Sequence, residues 1–272
     1  RLLLIPGREV TTFFGHSNVF GPTAFLDFRM TAPSYAQAAK WMDEVKREGG
    51  IVSLNHAGAP SGEICMGCGW RVEDLPAGAV QAIEVVNGGT MAETKSAESP
   101  LQGLALWQKL LNAGQRVTAI GGSDNHNADL PFDQPGAIGT PTTVVFMRAL
   151  TVQGFIDGVR AGRAFVDVYG VKGRLLDISA TNGEAKAVMG GALRVRPGER
   201  VRLAAEVRGA SGGTIQLVVD GEADPVFRRD IQRDGAIALT NWIADSGRHW
   251  VRADVRDAAG RLILVGNPIY IE

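Results

Sequence analysis

Three of the four histidines in this 272-residue chain stand near acids or close an apolar run. His16 lies in "EVTTFFGHSNVFG", on the same short stretch as Glu9. His56 closes "IVSLNH", and Asp124 and His126 sit two apart in "TAIGGSDNH". Imidazole and carboxylate together are the donor set of Zn²⁺, Mn²⁺ or Fe²⁺, and a carboxylate can bridge two such ions. Each histidine taken alone reads equally well as a hydrogen-bonded loop residue. Spacing by itself leaves both readings open.

For these groups to meet, the backbone must return them to one place. Up to Tyr169, apolar runs of strand length alternate with stretches of helical period. "RLLLIPG" reads as a buried strand with Glu9 just past its end. "TAPSYAQAAKWMDEVKREGG" has Thr31 as N-cap, Pro33 in the first turn, and Tyr35, Ala38, Ala39, Met42 and Val45 at helical spacing. Gly49 and Gly50 stop it. "IVSLNH", "AVQAIEVVNGG" and "RVTAIGG" are the next strands. Helices are predicted from about Pro100 to Ala113, followed by Gly114, and over "TVQGFIDGVRAG" between Thr151 and Gly162. Such alternation predicts an α/β unit with a parallel sheet or barrel, in which the C-terminal strand ends converge. Glu9, His56, Asp124 and His126 would share that rim, with His16 close by.

The remainder of the chain changes period. In "VRLAAEVRG" and "VRADVRD" apolar and polar residues alternate, and Pro197-Gly198, Asp220-Gly221 and Asp234-Gly235 mark turns. This pattern predicts a small antiparallel β-sandwich. The expected division is 1–170 for the α/β unit and 171–272 for the sandwich.

Hydrophobic residues make up 45% of the chain and charged residues 21%, which excludes a largely disordered protein. A net charge of −1 with scattered Lys and Arg argues against nucleic acid as a partner. The longest apolar runs fall short of a membrane span. A small-molecule substrate is the expected partner, and oligomeric state and compartment cannot be read.

Other residues invite roles of their own. Cys65 and Cys68, the only cysteines, could form half a zinc site, a redox pair, a short disulfide or plain packing. A loop at the rim of the substrate pocket is the first choice. Trp70 could line an apolar pocket or be buried in a loop. Glu84 and Asn87, ending a strand, could orient a ligand or tie down the next loop. Arg8 and Arg71 are the nearest candidates for phosphate recognition, though neither stands in a phosphate motif. His249 reads as structural or exposed.

Taken together, "PGREVTTFFGHSNVFG", "SLNHAGAPSGEICMGCGW", "IEVVNGG" and "GGSDNH" resemble the PHP (polymerase and histidinol phosphatase) metallohydrolases, and within them the carbaryl-hydrolase-type branch. The resemblance runs along most of the chain, to the closing "GNPIYIE". It implies a distorted (β/α)7 barrel, here without its N-terminal part, followed by the β-sandwich. It further implies two or three divalent ions, Zn, Mn or Fe. Glu9 would bridge, His16 and His56 would complete one metal position with it, Asp124 would bind the neighbouring ion, and His126 would serve a third position or the same cluster. Asp124 and His126 would also be the residues nearest the chemistry. The family's opening H-x-H and a further S-D-H or T-D-H element do not occur, which points to a fragment of a longer hydrolase or to a degenerate member. The implied activity is attack by metal-bound hydroxide on an ester, amide or carbamate. A phosphoesterase on the same cluster and a non-catalytic binding protein are the alternatives.

Overall fold

In the computed structural model, which describes residues 2–30, 35–63 and 65–272, a two-residue turn at Phe13-Phe14 decides how the chain starts. It forces the first two strands, β1 (Gly7–Thr12) and β2 (Gly15–Phe20), to pair antiparallel, with Glu9 opposite Asn18 and Thr11 opposite His16. Helix α1 (Tyr35–Arg47) follows, and buries Trp41, Met42 and Val45 against the first sheet. The expected N-cap Thr31 and Pro33 lie outside the described residues. Strand β3 (Ile51–Leu54) then pairs antiparallel with β2, and β4 (Ala82–Asn87) pairs parallel with β3. Two helices, α2 (Gly88–Thr94) and α3 (Leu104–Asn112), lead to β5 (Thr118–Gly122), parallel to β4. The result is an open sheet in the order β1-β2-β3-β4-β5.

Strand β6 (Thr142–Val145), helix α4 (Val152–Arg160) and strand β7 (Ala164–Asp167) come next. The rest is β: β8 (Leu175–Asn182), β9 (Ala185–Val188), β10 (Ala192–Leu193), β11 (Arg200–Arg208), β12 (Thr214–Val219), β13 (Glu222–Asp230), β14 (Gly235–Ile243), β15 (His249–Arg256), β16 (Leu262–Gly266) and β17 (Ile269–Ile271). One sheet runs β10-β17-β15-β16-β7-β6, with β12 paired to β15 and β13 to β12; the other runs β14-β11-β8-β9. Leu176, Ile178, Val201 and Leu203 from the smaller sheet meet Leu217, Val251, Ala253 and Leu264 from the larger in one core. The arrangement is β-sandwich-like. Residues on either side of position 170 share the larger sheet, because Val166 in β7 pairs with Val265 in β16.

A distorted (β/α)7 barrel does not form. Among the described residues, four α-helices accompany seventeen strands in three open sheets, and the molecule is mostly β. A (β/α) barrel needs a crossover between successive parallel strands. Here β1 and β2 are joined by two residues, and β2 and β3 run antiparallel despite the helix between them. Strands β6 and β7 pair with β16 instead of closing on the first sheet.

Side chains join the first sheet to the eight-stranded one where strand pairing does not. The buried Asn267 amide accepts from the Ala119 N–H (2.7 Å) and donates to the carbonyls of Ala119 (3.0 Å) and Ala164 (2.8 Å). It thereby holds β5 against β7. The Thr143 hydroxyl does the same for β6, accepting from the Gly121 N–H and donating to the Gly121 carbonyl, each at 2.8 Å.

Two local expectations also change. Residues 2–6 carry no strand, and Leu2 and Leu4 are exposed, because the first ladder begins at Gly7 and gives them no neighbour to pair with. Helix α3 begins at Leu104, not near Pro100, because the buried Gln102 side chain is taken up in bonds to the Asn87 backbone. The expected C-terminal glycines are present: Gly114 and Gly162 have φ of 78° and 67°. Thr151 caps α4 by accepting from the Gly154 N–H. No helix among the described residues is long and apolar enough to cross a membrane.

Candidate metal centre

Strand alternation explains why an acid and a histidine of the first hairpin point the same way. Val10 and Val19 bury one face in the core, so Glu9 and Thr11 of β1 share the other face with His16 and Asn18 of β2. Glu9 and His16 are diagonal neighbours across the ladder, and His16 Nδ1 lies 3.5 Å from Glu9 Oε1. His56 arrives from the adjacent strand, two residues beyond β3, where the backbone takes the left-handed φ of 29°. That turn is secured by the buried Glu84 of β4, whose Oε2 accepts from the His56 N–H at 2.9 Å. His56 Nε2 then stands 3.6 Å from the same Glu9 oxygen. Asn55 completes the group, donating from Nδ2 to Glu9 Oε1 at 3.0 Å.

The opposite edges of both imidazoles meet one loop. His16 Nε2 faces the Met66 carbonyl at 3.4 Å, and His56 Nδ1 faces the Cys68 carbonyl at 3.2 Å. In the tautomers that donate to these carbonyls, His16 Nδ1 and His56 Nε2, the nitrogens that face Glu9, would be free to bind a metal ion. This loop is pinned in place. A Cβ on Gly67, which has φ of 75°, would lie 2.0 Å from the Thr12 carbonyl oxygen at the hairpin end. Next to it the Trp70 indole covers Gly15 so closely that a Cβ there would lie 1.9 Å from the ring, and its Nε1 donates to the His16 carbonyl at 2.7 Å. Cys65 and Cys68 are joined as a disulfide. His16, His56 and Cys68 each bring one ligand-type atom within 4.8 Å of the others, but in the disulfide Cys68 has no thiolate to offer a metal ion.

Asp124 lies two residues past β5, with φ of 50°, and its carboxylate packs over Gly89 in the first turn of α2. His126 stands apart from the other histidines. Its side chain is 85% exposed, against 8% for His56, and its Nδ1 turns back to the Asp124 carbonyl at 2.8 Å. Glu9, His16 and His56 thus form a tight cluster, Asp124 a second wall, and His126 the rim. All five line one cavity of about 530 Å³, together with Glu63, Cys65, Cys68 and Glu93.

The cavity is built to favour positive charge. The His56 imidazole beside Glu9, helped by the Asn55 amide, lowers the Glu9 pKa to about 2 against the opposing effect of burial. Burial also works against a charged His56, yet Glu9, Glu84 and Asp124 outweigh it and raise that imidazole's pKa. Glu84 itself is pushed up to about 7 by burial, opposed by the His56 and Asn87 N–H groups that it accepts from. Among the described residues lining the cavity there is no lysine or arginine to balance the carboxylates. An ionised carboxylate facing two imidazoles therefore fits a divalent ion.

The remaining candidates are accounted for. Arg8 donates to the carbonyls of Pro22, Thr23 and Ala24, and Arg71 pairs with Asp74; neither lines this cavity. Asn87 caps α2, accepting from the Thr90 N–H, while its amide donates to Glu84. Trp70 lines a neighbouring cavity with Phe13, Phe14 and Tyr35. His249 is held between Asp220 and Asp245 (2.8 Å) in the β part, away from the cluster residues. Sequence reading missed the parts of Asn55 and of the Met66 and Cys68 carbonyls; only the adjacency of Asn55 to His56 could have hinted at the first.

Comparison of the chain with protein-family models and with curated proteins finds no match.

Proposed function

We propose that the chain is a metal-dependent hydrolase related to the PHP metallohydrolases and acting on an ester, amide or carbamate bond. The observation that carries this reading is the convergence of Glu9, His16, His56, Asp124 and His126 on one cavity, with Glu9 facing both imidazoles. Divalent ions bound there would supply a Lewis acid and a water whose pKa falls from about 15.7 toward about 7. Glu9, His16 and His56 would hold one ion, and Asp124 with His126 would complete the site on the opposite wall.

The chain's own groups set the conditions for that chemistry. Glu9 stays ionised across the physiological range, because its pKa is lowered to about 2. The Met66 and Cys68 carbonyls keep the two imidazoles in the ligating orientation without further rearrangement. The cavity's carboxylates, with neither lysine nor arginine among the described lining residues, favour a neutral carbonyl substrate over a phosphate dianion.

The test is metal content together with turnover. Protein produced with Zn²⁺ and Mn²⁺ supplied should carry tightly held transition metal by mass spectrometry. It should hydrolyse 4-nitrophenyl acetate or an aryl carbamate faster than 4-nitrophenyl phosphate, and a chelator should abolish that turnover reversibly. Protein that neither carries nor takes up metal would overturn the reading.

A further inference from the structure

The disulfide in the carbonyl-bearing loop has a consequence for the candidate metal centre. We infer that the Cys65–Cys68 disulfide withholds a metal ligand, and that its reduction adds the Cys68 thiolate to an ion held by His16 and His56. This inference rests on the metal reading of the site and adds a redox control and a change of metal preference to it.

Three observations carry it. Cys68 Sγ already lies within 4.8 Å of a ring nitrogen of both His16 and His56, a span that a single ion can bridge. The Cys68 backbone is tied to the same site, because its carbonyl receives the His56 imidazole at 3.2 Å. The loop is also fixed without help from the disulfide: Gly67 lies so close to the hairpin that a Cβ would meet the Thr12 carbonyl, and the Gly69 N–H donates to the Ser61 hydroxyl at 3.0 Å. Breaking the sulfur–sulfur bond therefore frees the sulfurs without releasing the backbone that orients the imidazoles.

Accessibility sets the direction of the chemistry. Cys68 is 7% exposed, whereas Cys65 is half-buried, so an incoming nucleophile reaches Cys65 Sγ first. A thiolate of a dithiol reductant attacks Cys65 Sγ, the sulfur–sulfur bond breaks, and Cys68 leaves as thiolate toward the imidazoles. The reductant's second thiol then displaces the mixed disulfide, which leaves Cys65 as a thiol and the reductant as its own disulfide. Two electrons pass to the protein; the two thiol protons end on Cys65 and, in the absence of metal, on Cys68. A metal ion replaces the second of these, and that proton goes to solvent.

The oxidised centre offers nitrogen and oxygen donors; the reduced one offers nitrogen, oxygen and sulfur. A thiolate selects for Zn²⁺ and Co²⁺ over Mn²⁺. Reduction should therefore tighten Co²⁺ binding by roughly tenfold or more while changing Mn²⁺ binding by less than about threefold.

Co²⁺ titration read by absorption tests this directly. The protein is treated with a phosphine, which reduces the disulfide to two thiols and takes oxygen from water to become the phosphine oxide. The excess is then removed and Co²⁺ is added. Reduced protein should show a thiolate-to-cobalt charge-transfer band in the near ultraviolet, and untreated protein should bind Co²⁺ without it. Cys65→Ser should show the band with no reductant, and Cys68→Ser should lack it in every state while still binding Co²⁺. Equal Co²⁺ affinity in both redox states with no thiolate band would overturn this inference and leave the metal reading standing. Failure of Co²⁺ to bind in either state would overturn both.

Discussion

His16 and His56 meet edge to face, with ring centroids 4.9 Å apart and planes inclined by 77°, and each presents one nitrogen to the same oxygen of Glu9. Strand β2 pairs antiparallel with β3, so His16 does not come from a rim of parallel strands, whereas His56 follows β3, which runs parallel to β4 and β5, and shares their C-terminal rim with Asp124. Two imidazoles and a carboxylate set this way are the donor set that the proposed divalent ion would take.

Glu9 is the residue on which the proposed metal centre depends. Glu9→Gln keeps the Asn55 contact sterically possible but removes the negative charge. Metal affinity should fall about 100-fold or more, and the unfolding midpoint at neutral pH should fall modestly, since His56 and the Asn55 amide stabilise the ionised carboxylate in the folded state. Equilibrium dialysis against Zn²⁺ checks the first expectation and urea unfolding the second. Undiminished affinity would remove Glu9 from the site.

Asp124 should act on turnover rather than on substrate binding. Asparagine tolerates the left-handed backbone at this position, so Asp124→Asn tests the charge without adding strain. At saturating metal, kcat should fall about 100-fold or more while KM changes little. A variant with full kcat would remove Asp124 from the chemistry.

Glu84 gives a pH-dependent stability of definite sign. Its folded pKa, about 7, lies above the ordinary 4.5, so folding favours the protonated form. The stabilisation is complete below pH 4.5 and is lost as pH rises to about 7, a change on the order of 3 kcal/mol. Glu84→Gln retains an oxygen to accept from the His56 and Asn87 N–H groups but does not titrate. In metal-free protein, the wild-type melting temperature should therefore fall relative to the variant between those pH values. Parallel profiles would contradict the assignment.

Asn267 should matter to stability alone. Asn267→Leu leaves the Ala119 N–H and the Ala119 and Ala164 carbonyls without their buried partner, at a cost of roughly 3 kcal/mol or more. Urea unfolding should show this as a lowered midpoint, while metal affinity in the folded protein is kept. A loss below about 0.5 kcal/mol would show that the sheet edges are joined by other contacts.

The sequence by itself placed strands within "IVSLNH", "AVQAIEVVNGG" and "RVTAIGG", helices within "TAPSYAQAAKWMDEVKREGG" and "TVQGFIDGVRAG", and the alternating strands of the β part. These are local properties: period, caps and turn residues are written in neighbouring positions. It also singled out Glu9, His16, His56, Asp124 and His126, which meet in one cavity. The sheet order and the hand of each pairing were decided only in the tertiary structure. Glu9 was expected beyond a buried strand, yet it lies within β1, because the ladder with β2 begins only at Gly7, opposite Phe20. The barrel expectation failed for a related reason: a two-residue turn reverses the chain at Phe13-Phe14, and β7 finds β16 about a hundred residues later in the chain. The orientation of both imidazoles by the Met66 and Cys68 carbonyls was equally hidden, since backbone oxygens carry no sequence signal and become specific only when packing brings them to a particular ring.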